Sequence, residues 1–202
     1  MMEKGYSITT KPIYGTLVWQ KKATHHVVIV GGEGGGKALL KLFQQMVPKQ
    51  PVSVFYLADD AASNKYVSIV EEMSGESINV CDSEEALTAA MKTELDNSYM
   101  GTQFYVAGEE KLIWPVAKVL TEYGVDDRNI FKEQTGSLAR RVFCVHCETI
   151  NEDVHHNIHQ CVNCGLNLFV RDHFSRHWGA YMGFMVDGET PGEIPPAQEV
   201  YP

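Results

Sequence analysis

The pattern of apolar residues predicts strands that recur regularly between residues 26 and 136. Val27 to Val30 form a continuous β-branched run, which is typical of a strand buried on both faces. Similar short runs predict four more strands, at Val52–Ala58, Ser77–Cys81, Gln103–Ala107 and Asn129–Lys132.

Between these strands, apolar residues recur at helical spacing. Ser83, followed by Glu84 and Glu85, is typical of a helix start, and Pro48 is expected to end the first helix. The four helical faces contain Leu39, Leu40, Phe43 and Val47; Tyr66, Ile69, Val70 and Met73; Leu87, Ala90, Met91 and Leu95; and Ile113, Val116, Ala117 and Leu120. Alternation of strands and helices predicts an α/β fold, a doubly wound parallel five-stranded sheet.

A ligand of such a sheet is expected at the carboxyl ends of its strands. Amides at the start of the first helix could cradle a phosphate there. The alternative is that the glycines only form a tight turn between strand and helix. The candidates for binding a nucleotide are Gly32, Gly34, Gly35, Asp59, Gly108 and Glu109.

Two known glycine motifs fit this stretch incompletely. The spacing from Gly31 to Gly36 and Lys37 follows a P-loop, but Ala38 stands where a Ser or Thr would hold magnesium. Gly32-Glu33-Gly34 begins a dinucleotide fingerprint whose third glycine position is Lys37. The sequence therefore disfavours a P-loop NTPase and supports dinucleotide binding only weakly.

Charge and hydropathy narrow the class of protein. The 202 residues include 26 acidic and 17 basic side chains, a net charge of −9, which argues against a nucleic-acid binder. No apolar run approaches the ~20 residues that span a bilayer. The first residues lack the apolar core of a signal peptide, so we expect a cytoplasmic protein whose partners are proteins or small molecules.

Four of the five cysteines form two Cys-x-x-Cys knuckles, Cys144 with Cys147 and Cys161 with Cys164. Two such turns can place four thiolates around one ion, so the spacing predicts a metal ribbon. Zinc is favoured, and iron in a rubredoxin-like site is the alternative. Disulfides would need an oxidising compartment, and a thioredoxin-like motif uses a single Cys-x-x-Cys.

Other residues near the knuckles are assigned plainer roles. Gly165 is expected to turn the backbone with positive φ, and Cys81 is expected to be a small core residue. His173 and His177 are four apart and could share a metal if helical, although a solvated or capping role is favoured. His155, His156 and His159 could compete for one ligand position, which four available cysteines make unnecessary.

These features divide the chain into four segments. Residues 1–25 form an N-terminal arm with a predicted edge strand, Ile13–Trp19, and residues 26–138 form the nucleotide-binding-type domain. Residues 139–172 form the metal ribbon. Residues 173–202, aromatic at first and then rich in Pro and Gly, are predicted to dock a partner.

Residues 26–136 resemble the pyridine-nucleotide half of the ferredoxin reductase family. The likeness rests on HVVIVGGEGGGKALLKLF, VSVFYLADD and FYVAGEEKLIWPVAKVLTEYGVDDRNIFKEQTG. The family's Cys-Gly-Pro is replaced by Ala107-Gly108-Glu109, and about 25 residues before the first strand are too few for a flavin-binding barrel. We therefore expect that this chain by itself has nowhere to pass a hydride.

The order of this domain, then CVHC and CVNCG, then DHFSRHWGAYMGF and PGEIPP, resembles the small-subunit family of bacterial dimethylamine monooxygenase. The resemblance implies one component of an NADPH- and O2-dependent haem enzyme that converts dimethylamine to methylamine and formaldehyde. Haem, FMN and a [2Fe-2S] centre are then expected in two partner subunits of the same complex. One is a haem-containing oxygenase subunit, and the other is a reductase subunit with flavin and an iron-sulfur centre. The chain itself would act in electron transfer or assembly.

Two other functions remain open from the sequence. One is a scaffold with structural zinc and no redox role, and the other is a stand-alone NAD(P)-dependent reductase, which the missing barrel disfavours. Asp59 and Asp60 would repel a 2′-phosphate and so favour NADH over NADPH in this chain. This conflicts with the family's NADPH use and favours a vestigial pocket here, with the working nucleotide site elsewhere in the complex.

Overall fold

The computed structural model describes residues 10–58, 61–74 and 78–202. The described residues divide into two compact units, one formed by Tyr14–Leu138 and the other by Ala139–Pro202 together with residues 10–13. Among the described residues, no helix combines the length and the apolar character needed to cross a membrane.

The first unit is an α/β fold with a parallel sheet of five strands in the order β3-β2-β1-β4-β5. Four helices connect these strands, as the apolar pattern predicts. The elements are β1 His25–Gly31, α1 Gly32–Phe43, β2 Val52–Leu57, α2 Ala61–Ser74, β3 Asn79–Cys81, α3 Glu84–Asp96, β4 Thr102–Gly108, α4 Glu110–Glu122 and β5 Ile130–Gln134.

The core of this unit lies around β1, whose residues Val27 to Val30 are buried. Strand β1 pairs with β2 on one side and β4 on the other, so it is the central strand of the sheet. The strand order reverses between β1 and β4, which is where ligands bind in open α/β sheets. Ser83 accepts a hydrogen bond from the Ala86 N–H and caps α3, as its sequence position predicts.

The glycine-rich stretch does not form a loop before the helix. Helix α1 begins at Gly32, which has a φ of +65°, and Gly34, Gly35 and Gly36 lie inside its first turns. A Cβ at Gly36 would lie 2.5 Å from the Tyr66 ring, and one at Gly35 would lie 2.9 Å from the carbonyl oxygen of Ala107. These glycines therefore let α1 pack closely on its neighbours.

The predicted edge strand Ile13–Trp19 is not formed: the described residues from 10 to 24 contain neither a helix nor a strand. The segment is nevertheless held in the first unit. Leu17 and Trp19 are buried, and the Trp19 indole N–H donates to the Leu42 carbonyl at 3.0 Å. Apolar side chains at alternate positions here reflect burial of an irregular segment and not pairing in a sheet.

The second unit contains a mixed five-stranded sheet in the order β7-β6-β10-β9-β8. Strands β6 and β10 are parallel, and the other pairs are antiparallel. The strands are β6 Arg140–Cys144, β7 Ile150–Val154, β8 Ile158–Gln160, β9 Asn167–Ser175 and β10 Ala180–Met185.

The predicted separation of a docking tail at residue 173 disagrees with this sheet. Residue 173 lies inside β9, and β10 is paired on both sides, so residues 173–185 belong to the fold of the second unit. The chain end also returns to the unit: Glu199 forms a bridge with His156, and the Tyr201 N–H donates to the His155 carbonyl. These residues pair with residues distant in sequence, so their local composition gives no sign of a strand and suggested a tail.

Candidate metal centre

The two cysteine knuckles have the same backbone geometry. The N–H of Cys144 donates to the carbonyl of Thr149, and that of Cys161 donates to the carbonyl of Leu166, both at 2.9 Å. Each turn is closed a second time: the N–H groups of Glu148 and Gly165 donate to the carbonyl of the first cysteine of their own knuckle, at 2.8 Å and 3.0 Å. These matching bonds aim two pairs of sulfurs at one point.

The four sulfurs lie within 4.8 Å of one another. The closest contacts join the two knuckles, with Cys144 Sγ 3.8 Å from Cys164 Sγ and Cys147 Sγ 3.6 Å from Cys161 Sγ. A tetrahedral zinc site with Zn–S bonds of about 2.3 Å requires sulfurs about 3.8 Å apart. The arrangement fits a metal ion bound by four thiolates, and none of the five cysteines is in a disulfide.

The electrostatics of the cluster also suit a cation. Hydrogen bonds from the side chain and the backbone of Thr149 lower the pKa of Cys147 to about 5. The Leu166 N–H favours the Cys164 thiolate, but burial and the sulfurs of Cys147, Cys161 and Cys144 outweigh it and raise the pKa of Cys164 to about 12. Neighbouring thiolates repel one another, so a bound cation is what allows all four to ionise together.

No histidine joins this cluster. Among the described residues, the four cysteines are the only group of three or more His, Cys, Asp or Glu side chains with metal-binding geometry. His173 lies on β9 and His177 lies in the following turn, so they do not share a helix. The His155 ring bonds to the Tyr201 carbonyl at 2.7 Å, and His159 is in β8.

A groove of about 600 Å³ lies at the carboxyl ends of the strands in the first unit. Gly32, Gly34 and Glu109 line it, as the position of the predicted nucleotide site requires. Gly35 instead packs on β1 and β4, and the Gly108 carbonyl accepts a bond from the Thr135 N–H at 2.8 Å. Asp59 lies outside the described residues.

The fit of a dinucleotide to this groove is poor in two respects. A Cβ at Gly34 would lie 2.8 Å from the Gly136 nitrogen, so the chain's own segment 135–137 fills the space that the glycine leaves. The Ser137 N–H also donates to Glu109, which fixes this segment across the groove. At Gly34, the absence of a side chain therefore makes room for the chain's own residues.

The lysines that line the groove form ion pairs with glutamates. Lys37 lies 3.0 Å from Glu33, Lys111 lies 3.1 Å from Glu109, and Lys41 lies 3.9 Å from Glu133. Glu84 adds a fourth carboxylate to the lining. A phosphate would have to compete with these carboxylates for the lysines, which weakens the case for nucleotide binding.

Sequence spacing identifies the four cysteines but not the polar residues that surround them. Thr149 lies two residues after Cys147, and Asn151 lies on β7, buried between the two knuckles. No sequence motif relates the position of Asn151 to a metal site. Its role becomes visible only when β7 is paired with β6.

Comparison with known proteins gives matches to both halves of the chain. The family described as "Dimethylamine monooxygenase subunit DmmA-like" matches through its N-terminal domain at residues 6–130 and through its C-terminal domain at residues 141–184. The "Heme-dependent oxidative N-demethylase delta subunit" of Ectopseudomonas mendocina (strain ymp) is 32% identical over 105 residues. That match covers 52% of this chain and 60% of the relative.

Two solved structures are also similar. An intact type IV self-sufficient cytochrome P450 monooxygenase has a TM-score of 0.46 and 17% identity, over 80% of this chain and 21% of that one. Full-length CYP116B46 from Tepidiphilus thermophilus has a TM-score of 0.40 and 15% identity, over 66% of this chain and 19% of that one. The family assignment rests on the sequence matches to the two domains, which together extend from residue 6 to residue 184. This chain belongs to the dimethylamine monooxygenase subunit DmmA-like family.

Proposed function

We propose that this chain is an assembly subunit of a haem-dependent dimethylamine monooxygenase complex, and that a zinc ion in its ribbon fixes a surface for a partner. The match of both domains to one family supports this proposal. The relative's description as a delta subunit supports the presence of further subunits. Haem, FMN and a [2Fe-2S] centre would then belong to an oxygenase partner and a reductase partner.

The atoms and electrons of the proposed reaction balance without a redox group in this chain. Dimethylamine, O2, NADPH and a proton would give methylamine, formaldehyde, water and NADP⁺. The nicotinamide supplies two electrons, which one four-thiolate iron could only accept singly and zinc could not accept at all. We therefore assign electron transfer to the partners and assembly to this chain.

The observation that carries the assembly role is the closed shell of four sulfurs. Cys144, Cys147, Cys161 and Cys164 would hold zinc with no coordination position left for a substrate, which is the arrangement of structural zinc sites. The ion would join the two knuckles directly. Five unpaired thiols also suit a reducing compartment, so we place the complex in the cytoplasm.

We further propose that the groove in the first unit does not bind NADPH. The paired lysines and the segment 135–137 support this, as do the carboxylates of Glu33, Glu84, Glu109 and Glu133. Calorimetry with NADH and NADPH on the full chain should give no binding heat at millimolar nucleotide. Saturable binding of either nucleotide would instead support a stand-alone or cooperating reductase.

The assembly role is tested by co-purification with the haem-containing partner, together with N-demethylation assays in the presence and absence of this chain. Metal analysis should give one zinc per chain and a colourless protein. Cys161→Ser should lose the zinc and the co-purification, while Cys81→Ser, a buried cysteine of the first unit, should retain both. Bound iron with visible thiolate absorption bands would support an electron relay in place of the assembly role. A zinc-bound chain that does not co-purify with the haem-containing partner would instead support a scaffold that binds other proteins.

A further inference from the structure

Asn151 is a buried polar side chain, with only 1% of its surface exposed, that contacts the second knuckle from the strand that follows the first. It lies on β7, which pairs with β6, the strand that ends in Cys144. Its amide nitrogen lies 3.8 Å from Cys161 Sγ, and its amide oxygen accepts the Val162 N–H at 2.9 Å. A single side chain therefore holds both the sulfur and the backbone of the second knuckle.

The other contacts of Asn151 fix the orientation of its amide. The nitrogen also lies 3.2 Å from the Val142 carbonyl and 3.4 Å from the Thr149 carbonyl. Exchanging the amide oxygen and nitrogen would set the oxygen against two carbonyls and a sulfur, and would turn the nitrogen toward an N–H donor. The NH2 group must therefore face the sulfur.

An N–H that points at a thiolate stabilises its negative charge, and such bonds are stronger than those between neutral groups. Burial disfavours the Cys161 thiolate, but the backbone N–H groups of Cys164 and Asn163 donate to its sulfur and favour it. The Asn151 amide adds a donor from a different strand. Burial makes this donor effective, because water does not screen the contact.

We infer that Asn151 is a positioning residue of the metal centre, which holds Cys161 Sγ at its corner of the tetrahedron and withdraws charge from that thiolate. This rests on the proposal that the four cysteines hold a metal ion. Residues that support metal ligands in this way commonly change metal affinity by about 10- to 100-fold when they are replaced. Asn151 should therefore affect both the affinity of the site and the electronic properties of a bound ion.

Two substitutions separate the contacts of the side chain. Asn151→Asp keeps an oxygen for the Val162 N–H but replaces the NH2 group that faces the sulfur. Asn151→Leu removes both contacts. Asn157→Asp is the matched control, because Asn157 lies in the same unit and its side-chain oxygen accepts the Gln198 N–H instead of facing a cysteine.

The full-length chain is loaded with Co²⁺, whose thiolate charge-transfer bands report on the sulfurs, and zinc affinity is measured by chelator competition. Both Asn151 variants should bind zinc about 10- to 100-fold more weakly than the original chain, and their cobalt bands should move to longer wavelength. Asn157→Asp should match the original chain in both measurements. A purely structural role would weaken affinity in the variants without moving the bands once the site is filled.

The outcomes distinguish this inference from the proposed function. If the original chain binds neither Co²⁺ nor zinc stoichiometrically, the metal centre itself is wrong. If it binds them and both Asn151 variants keep its affinity within twofold, or keep its cobalt spectrum, the positioning role is overturned. Should one Asn151 variant fail to fold, the other variant decides the outcome by the same two measurements.

Discussion

At the level of single residues, the two knuckles share a backbone conformation at a position where their residues differ. Glu148 and Gly165 each follow the last cysteine of their knuckle and have φ values of +61° and +71°. This left-handed conformation costs most residues about 1–2 kcal/mol, and glycine avoids that cost. The sequence predicted positive φ at Gly165, but nothing at Glu148 suggests it, because only the structural equivalence of the knuckles imposes it.

We expect Gly165→Ala to destabilise the metal-bound chain by about 1–2 kcal/mol, although a Cβ there meets nothing within 4 Å. The cost would come from φ alone. Glu148→Gly should leave stability unchanged or raise it, because it relieves the same strain. Chemical unfolding of both variants in saturating zinc tests this. Equal losses in the two variants would show that side-chain contacts dominate at these positions.

Residue types with a fixed spacing were predictable, and isolated polar residues were not. Cys144 and its three companions follow a spacing that tetrahedral coordination demands, so they are identifiable without a structure. Asn151 reaches Cys161 from ten positions away through strand pairing, which no local pattern encodes. The glycine candidates for nucleotide binding illustrate a different difficulty, because the absence of a side chain at Gly34 and Gly35 also serves close packing.

At the level of elements, helix α1 packs unusually closely on its surroundings. The space beside Gly36 is filled by the rings of Tyr66 and Tyr56, with the Tyr56 hydroxyl 2.6 Å from the position of a Cβ. That hydroxyl also donates to the Gly32 carbonyl at 2.9 Å, which holds the first turn of the helix against β2. A glycine run at the start of a helix can therefore be required by packing alone.

Gly36→Ala should destabilise the chain by about 1–3 kcal/mol, because a methyl group here forces two buried rings to move. The control is Gly15→Ala, where a Cβ meets nothing within 4 Å and the N–H bond to Lys132 can persist. It should change the free energy of unfolding by less than about 0.5 kcal/mol. Urea denaturation of both variants measures the difference. A harmless Gly36→Ala would point to a role other than packing.

In the second unit, Arg140 connects β6 to the end of the chain. Its guanidinium lies 3.9 Å from the ring centres of both Tyr181 and Tyr201, and 2.8 Å from the Asp172 carboxylate. Partial burial opposes ionisation of Asp172, but bonds and charges from Lys11 and Arg140 prevail and lower its pKa. Aromatic residues near the chain end thus serve this internal contact.

The lowered pKa of Asp172 predicts a dependence of stability on pH. A depressed folded-state pKa contributes stability that is present above the ordinary Asp pKa and is lost as pH falls through the folded value. Asp172→Asn should therefore reduce stability at neutral pH and lessen its decline in acid. Thermal unfolding at several pH values measures this, with Glu193→Gln as an exposed control. Parallel pH curves for Asp172→Asn and the original chain would contradict it.

Strands with local signals were predicted well, whereas strands defined by distant pairing were not. The five strands of the first unit are short apolar runs separated by helices, so periodicity predicts them to within a few residues. Strands β9 and β10 contain exposed aromatic side chains, for example Phe169 and Phe184, mixed with polar residues. Their identity as strands depends on their pairing with each other and with β6 and β8.

At the level of the whole molecule, the two units are stabilised differently. The first unit has an extensive apolar core of buried strands and helix faces. In the second unit, the four cysteines come together from the two turns that follow β6 and β8. Small modules of this kind commonly depend on their metal for folding.

Removal of the metal by a strong chelator should therefore unfold the second unit selectively. Amide NMR signals of residues 139–202 should collapse, while those of residues 14–138 and the helical circular dichroism signal persist, because all four described helices lie in the first unit. Re-addition of zinc should restore the spectrum. Simultaneous loss of both sets of signals would show that the units unfold together.

The equivalence of the two knuckles has a practical consequence for reconstitution. Because both knuckles offer the same pair of donor atoms in the same backbone frame, the matching knuckle of a neighbouring molecule can also complete the shell of an ion captured by one knuckle. This requires a protein concentration that approaches the effective concentration of the chain's own second knuckle. Concentrated apoprotein titrated with zinc should thus yield ion-bridged dimers, and slow addition at high dilution should favour the monomeric product.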